Sequence, residues 1–114
     1  MMSPTVTVSV APGGIEEGQN AVYTISLSHP VSHPLTVHYS MSGNGKKSVD
    51  YTLSGTSGEV TIQAGHSSAS VTLQSIEEND EKTEPAGETA TMTLSNGTGY
   101  KLGSNKTATV TIGK

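Results

Sequence analysis

The feature of this sequence that most constrains its fold is a strict alternation of apolar and polar residues in seven short segments. In the first of them, Val6, Val8 and Val10 alternate with Thr and Ser. Successive side chains of a β-strand point to opposite faces, so this pattern predicts strands with one buried face and one solvated face. The seven predicted strands are 5–10, 21–28, 35–41, 59–63, 68–76, 89–95 and 107–112.

The segments between the predicted strands are typical of turns. Clusters such as "APGG", "SHP", "SGNG" and "NGTGY" combine Gly, Pro, Asn and Ser, which favour tight turns. Seven short strands at this spacing predict an all-β fold, an immunoglobulin-like antiparallel β-sandwich of about seven strands. The length of 114 residues is that of one domain, so we predict a single domain over 1–114. The doubled Met at the start indicates that this domain is excised from a larger protein.

The inward face of each predicted strand contributes to one shared core. The residues we expect there are Tyr23, Ile25, Val37, Tyr39, Val71, Leu73, Met92, Leu94, Val110 and Ile112.

Composition excludes several classes of function. The net charge is −4, and the chain has six Lys and no Arg, which argues against nucleic-acid binding. The absence of Cys excludes disulfides and thiolate catalysis. No apolar run approaches the roughly 20 residues of a membrane span, so we expect no membrane insertion.

Enzymatic activity is also not expected. The sequence has no nucleophile elbow of the G-x-S-x-G type. A pair of carboxylates could serve a glycosidase, but the chain has no Trp and no Phe to form a sugar platform. The two His of "HPVSHP" have no third metal ligand nearby in the sequence.

Strand parity separates the acidic residues from the basic ones. If each strand crosses the whole sandwich, successive connections alternate between its two ends. One end, here called the acidic end, then receives the connections 11–20, 42–58 and 77–88. They contain Glu16, Glu17, Asp50, Glu77, Glu78, Asp80, Glu81 and Glu84, with Glu59 and Glu88 at strand starts beside them.

The other end, here called the basic end, receives the connections 29–34, 64–67 and 96–106. These connections contain no Asp or Glu. Their charged or titratable residues are His29, His33, His66, Lys101 and Lys106.

Carboxylates from three separate loops at one end are what a calcium site requires. Ca²⁺ takes about 6–8 oxygen ligands, and loop carboxylates and carbonyls adapt to its geometry. The alternative is that the acids only keep a Ser/Thr-rich domain soluble. The residues alone leave both interpretations open.

Three stretches of the chain resemble the Calx-beta domain. This module occurs as a calcium sensor in sodium/calcium exchangers, in an integrin β4 tail and as repeats in bacterial surface proteins. The stretch "IEEGQNAVYTISLS" resembles the family's Glu-Gly opening, and "SGNGKKSVDYTLSGTSGEVTIQAGHSSASVTL" resembles its most characteristic block. The stretch "ENDEKTEPAGETATMTLSNG" resembles its acidic loop.

The resemblance implies a calcium ligand set. The Glu before the second strand corresponds to Glu17, and the Asp of the family's Asp-Tyr pair corresponds to Asp50. In the acidic loop the paired acids fall either on Glu77 and Glu78 or on Asn79 and Asp80, and Glu84 matches the Glu that follows. The expected metal ligands are therefore Glu17, Asp50, Glu77, Glu78, Asp80 and Glu84.

The chain departs from the family at its end. Members that bind several ions continue past the last strand with Asp residues, whereas this chain reads "TVTIGK". We therefore expect either that the sequence is cut before this run or that the domain binds fewer ions, weakly or not at all.

The expected function is that of a non-enzymatic calcium-binding module in an extracellular or cell-surface protein, with neighbouring domains as partners. The alternatives are a structural spacer or adhesive repeat without metal, and a module that binds carbohydrate or protein. We expect the isolated domain to be monomeric, because its polar Ser/Thr faces offer no large apolar patch.

Overall fold

The structure, a computed structural model, describes residues 3–43, 51–76 and 88–113. Within these ranges the chain forms ten strands and no helix. The strands are β1 (Thr5–Ala11), β2 (Gly14–Glu16), β3 (Asn20–Leu27), β4 (Leu35–Ser42), β5 (Tyr51–Leu53), β6 (Glu59–Ile62), β7 (Ser68–Ser75), β8 (Glu88–Ser95), β9 (Lys101–Leu102) and β10 (Thr107–Gly113). No helix in the described part of the chain is long and apolar enough to cross a membrane.

The strands form two five-stranded sheets that face each other. Sheet A has the order β5-β7-β3-β1-β9, and sheet B has the order β2-β10-β8-β4-β6. Pairing is antiparallel except between β1 and β9 and between β10 and β2. Because β1 and β2 follow one another but lie in different sheets, the chain changes sheet between them. The predicted all-β sandwich is confirmed.

All seven predicted strands are present, and their ends differ from the prediction by at most one residue. The three additional strands, β2, β5 and β9, have only two or three residues each. Alternation of apolar and polar residues cannot be recognised in so few residues. These three strands therefore fell within segments that were predicted to be connections.

The observed core contains all the residues that were predicted for it, together with further buried residues. All ten residues expected in the core are no more than 5% exposed. The connections add three buried residues that the alternation does not include, namely Ile15, Tyr51 and Tyr100. Ile15 stands alone among turn formers, whereas Tyr51 alternates with Val49 and Leu53, and Tyr100 with Leu102, over segments too short to have been predicted as strands.

The outer faces of both sheets carry mainly Ser and Thr. On sheet B, Thr91 of β8 lies beside Thr109 of β10, and their hydroxyl oxygens are 2.8 Å apart. Thr36 and Thr61 make a similar pair, with 3.3 Å between hydroxyl oxygens. Such cross-strand pairs stabilise a sheet without creating an apolar surface.

Tyr100 closes the basic end of the sandwich. Its hydroxyl donates a hydrogen bond to the Ser95 carbonyl at 2.6 Å and accepts one from the His38 amide at 3.1 Å. A Cβ on Gly97 would lie 2.5 Å from the Tyr100 hydroxyl oxygen, so only glycine fits there. The arrangement resembles the tyrosine corner of immunoglobulin-like domains.

Candidate metal site

The strand ends that flank the acidic connections lie together. In sheet A, β1 ends beside the start of β3, and β7 ends beside the starts of β3 and β5. In sheet B, β4 and β10 end where β8 begins, and β2 ends beside the end of β10. The strand parity predicted from the sequence is therefore correct for the described strands.

The turn after β2 holds Glu17, the one expected ligand within the described residues. Its amide donates to the Gly113 carbonyl at 2.9 Å, which ties the turn to the end of β10. The Glu16 amide donates to Gln19 Oε1 at 3.0 Å, and the Gln19 amide donates to the Glu16 carbonyl at 3.0 Å. Gly18 has a φ of 91°, a conformation that favours glycine. The backbone of Glu17 is thus held in place, and its side chain is half-buried.

Ser75 fixes this turn from inside. Its side chain is 3% exposed, and its hydroxyl accepts a hydrogen bond from the Gly18 amide at 2.7 Å. Two carbonyls are within reach of its proton, that of Gln19 at 2.8 Å and that of Glu16 at 3.2 Å. Since Ser75 belongs to sheet A and β2 to sheet B, this hydroxyl joins the two sheets at the acidic end.

Glu88 is a second carboxylate at the acidic end, although it is not among the expected ligands. It begins β8, pairs with Ile112 of β10, and is 6% exposed. Burying a carboxylate is costly unless polar groups or a cation compensate. β10 lies between Glu88 on one side and Glu16 on the other.

Glu59 lies farther from the acidic end than the start of its strand suggests. It pairs with His38, which is four residues before the end of β4. The reason is that β5 takes part of the predicted connection 42–58, and the chain then crosses from sheet A to sheet B partway along the strands.

The other five expected ligands, Asp50, Glu77, Glu78, Asp80 and Glu84, lie outside the described residues. Their convergence with Glu17 therefore stays a prediction. Within 3–43, 51–76 and 88–113 no group of three or more His, Asp or Glu side chains could hold a metal ion. The two His of "HPVSHP", His29 and His33, lie within these ranges and belong to no such group.

A cavity of about 370 Å³ lies below the acidic end between β4 and β5, and Tyr39, Tyr51 and Ser57 are among its lining residues. The Tyr39 hydroxyl is buried and has no hydrogen-bond partner among the described residues. Burial raises the pKa of Tyr39, and the Gly58 backbone partly opposes that shift, although it does not have hydrogen-bond geometry with the hydroxyl. An unpaired buried hydroxyl costs about 1–3 kcal/mol.

Unlike the Tyr39 hydroxyl, the Tyr23 hydroxyl has a hydrogen-bond partner. Its hydroxyl donates to the Ala90 carbonyl at 2.6 Å across the core. Burial raises the pKa of Tyr23 well above its usual range, and the neighbouring Tyr51 raises it further. The hydrogen bond joins the two sheets close to the acidic end.

Comparison with known proteins supports the fold. No protein-family model matches the sequence, and no curated protein sequence is significantly similar to it. The chain is similar to the crystal structure of CBD12 from CALX1.2, with a TM-score of 0.69 and 19% identity over 94% of this chain. The chain has the fold of a Calx-beta domain. It spans 44% of that structure's chain.

A second solved structure matches this chain more weakly. It is the Pseudomonas fluorescens alkylpurine DNA glycosylase AlkC bound to DNA containing an abasic site analogue, at 14% identity over 99% of this chain and 32% of that one. Its TM-score of 0.41 is too low to indicate a shared fold.

Within this Calx-beta fold, the burial of two polar residues of the acidic end, Ser75 and Glu88, was not predicted from the sequence. Both occupy inward positions of the alternation, in line with Leu73 and Ala90 respectively. A polar residue at an inward position was the available signal. It indicates a buried polar group that the fold must satisfy.

Proposed function

We propose that this domain is a non-enzymatic calcium-binding module of a larger cell-surface or secreted protein, and that Ca²⁺ orders its acidic end. One observation carries the proposal. The strand ends next to the connections that contain eight of the ten acidic residues lie together, whereas the connections at the basic end contain no acid. Carboxylates concentrated in this way repel one another, and a divalent cation relieves that repulsion.

The chemistry of the end fits calcium. Glu17 stands on a turn whose backbone is held by hydrogen bonds to Gly113 and Ser75. The proposed partners of Glu17 in the site are Asp50, Glu77, Glu78, Asp80 and Glu84. Because separate loops supply the proposed ligands, rather than one dedicated calcium-binding loop, affinity should lie near 10⁻⁴–10⁻³ M, the weak range of extracellular modules.

The main competing function is a spacer or adhesive repeat without metal. β1 begins at the basic end and β10 ends at the acidic end, so neighbouring domains attached to them would lie at opposite ends of the sandwich. This arrangement suits a string of domains whether or not calcium binds. A module that binds carbohydrate or another protein through its loops is a further alternative.

Thermal melting in EDTA and in CaCl₂ separates these functions. Ligand at about ten times Kd stabilises the folded state by roughly 1.4 kcal/mol, which raises the melting temperature. Asp50→Asn should remove most of this calcium effect and leave the melt in EDTA unchanged or slightly raised. Glu59→Gln is the matched control, because it removes the same charge at a distance from the acidic end and should keep the full effect.

The absence of a calcium effect would contradict the proposal. If about 10 mM CaCl₂ changes neither the melt nor the heat measured by titration calorimetry, the domain does not bind calcium in the expected range. The spacer function would then be preferred.

A further inference from the structure

A groove of about 560 Å³ opens at the basic end, between the connection from β3 to β4 and the residues just before β1. Its apolar wall residues are Pro4, Pro30, Val31, Pro34 and Leu35. Val31 and Leu35 are half-buried and pack against the core, whereas Pro30 and Pro34 are exposed. The groove therefore combines a fixed floor with an accessible apolar rim.

Backbone hydrogen bonds hold the walls of the groove in place. The Ser28 amide donates to the Thr5 carbonyl at 2.9 Å, and the Thr5 amide donates to Ser28 Oγ at 2.9 Å. On the other side, the Gly65 amide donates to the Val31 carbonyl at 2.7 Å. Ligand binding would thus require little ordering of the groove, which lowers its entropic cost.

Basic side chains flank this groove. His29 and His33 line it from the connection between β3 and β4. His66 follows Gly65, which is bonded to Val31, and the Lys101 amide donates to the Pro4 carbonyl at 2.9 Å. These four side chains are exposed, and the connections that form this end contain no carboxylate to neutralise them.

We propose that this groove binds an acidic peptide segment of a partner protein, with an apolar side chain in the groove and carboxylates on both sides of it. The apolar walls select the central side chain, and the basic residues select the flanking charges. An extended chain places carboxylates on both sides at once, whereas an amphiphile with one headgroup reaches only one. Since proline has no amide N–H, recognition depends on side chains rather than on strand addition.

Binding should tighten as the pH falls. The titratable groups at the groove are His29 and His33 from the connection after β3, His66 from the connection after β6, and Lys101 from β9. Ser3 and Pro4, just before β1, and the segment 96–99 contribute no titratable side chain. Imidazole gains its proton between about pH 8 and pH 5, while peptide carboxylates stay largely ionised above about pH 5.

The test is a fluorescence-anisotropy titration of a fluorescein-labelled synthetic peptide with two Glu on each side of a central Leu. EDTA is present throughout, so that a metal at the acidic end plays no part. We expect saturable binding that is several-fold tighter near pH 6 than near pH 8. A peptide with Gln in place of Glu, and one with Ser in place of Leu, should each bind several-fold more weakly.

Two lysine variants locate the site. Lys101→Ala should weaken binding about two- to five-fold, the size expected for one exposed charge pair. Lys106→Ala is the matched control, because Lys106 is exposed at the same end but its backbone is bonded to Leu94, outside the groove, whereas that of Lys101 is bonded to Pro4 in its wall. It should change the affinity less than Lys101→Ala does, and melting curves of both variants verify that they fold.

Three results would overturn the proposal. One is the absence of saturable binding up to about 1 mM peptide near pH 6. Another is equal binding of the Glu and Gln peptides, which would show that the groove does not recognise the carboxylates of the peptide. The third is an equal loss in Lys106→Ala and Lys101→Ala, which would indicate a diffuse charge effect rather than the groove.

Discussion

The two ends of the sandwich differ in charge, in turn chemistry and in the residue that secures them. At the acidic end, the hydroxyl of Ser75 holds a short glycine turn on which Glu17 stands. At the basic end, the hydroxyl of Tyr100 holds the turn after β8, and proline-rich sequence forms an apolar groove. The strands between the ends are alike in their Ser/Thr outer faces. The strands supply a framework with few charged residues, and both proposed binding sites lie at its ends.

If the two ends share one core, truncating that core near either end should have the same large effect. Leu73 lies opposite Ala21 in sheet A, and Leu94 lies opposite Tyr39 in sheet B; both are almost fully buried. Leu73→Ala and Leu94→Ala should each lower the free energy of unfolding by about 2–5 kcal/mol. Denaturant titration measures this.

The control for these two substitutions is Ser9→Ala on the exposed face of β1, which should change stability by no more than about 0.5 kcal/mol. Two separate unfolding transitions, or a small effect at one Leu only, would show that the ends do not share a core.

The residues that secure the two ends can be compared directly. Ser75→Ala and Tyr100→Phe each remove one buried or half-buried hydroxyl, and each should cost about 1–3 kcal/mol because its partners lose their hydrogen bonds. Only Ser75→Ala should also weaken the response of the melt to CaCl₂, since only Ser75 holds the turn of Glu17. Equal calcium responses in the two variants would contradict the role given to Ser75. The control is Ser70→Ala, at an exposed position of the same strand as Ser75.

Two buried tyrosines sharpen the comparison within the core. Tyr23→Phe should cost about 0.5–1.5 kcal/mol, because it removes the hydrogen bond to the Ala90 carbonyl. Tyr39→Phe should be neutral or stabilising, because the Tyr39 hydroxyl has no partner among the described residues. Chemical denaturation of the pair tests this, and an equal loss in both variants would show that the Tyr39 hydroxyl is satisfied.

Alkaline pH should lower the stability of the protein through Tyr23, by a smaller amount than the substitutions above. The pKa of Tyr23 is raised in the folded protein, so above the usual tyrosine pKa of about 10 the unfolded chain loses a proton that the folded protein keeps. Stability should therefore fall as the pH rises above about 10. Tyr23→Phe should flatten this decline in denaturant titrations near pH 9 and pH 11. An unchanged slope would assign the decline to other groups.

The sequence was sufficient for the framework because long strands with one wet face carry a strong alternating pattern. Leu73, Val110 and the other expected core residues were readable in this way. Tyr51 and Tyr100 were not, because the apolar alternation around each is too short to distinguish a strand from a turn. The groove at the basic end could not be predicted either, because it depends on where two turns meet in space.

For the candidate metal site, the sequence predicts which residue types would bind the ion but not their geometry. Parity assigned the acids to one end, since it depends only on the number of strand crossings. The choice between Glu77 with Glu78 and Asn79 with Asp80 needs loop positions that no periodic pattern encodes. Ser75 was readable as an inward polar residue, but its partners became evident only from the turn after β2.

An NMR titration with CaCl₂ tests the central claim most directly. The account predicts that amide signals of Gly18, Ser75 and Gly113 at the acidic end shift saturably, with a Kd near 10⁻⁴–10⁻³ M. Signals of Gly65 and Gly99 at the basic end should stay in place. Shifts confined to the basic end, or none up to about 10 mM CaCl₂, would contradict the account.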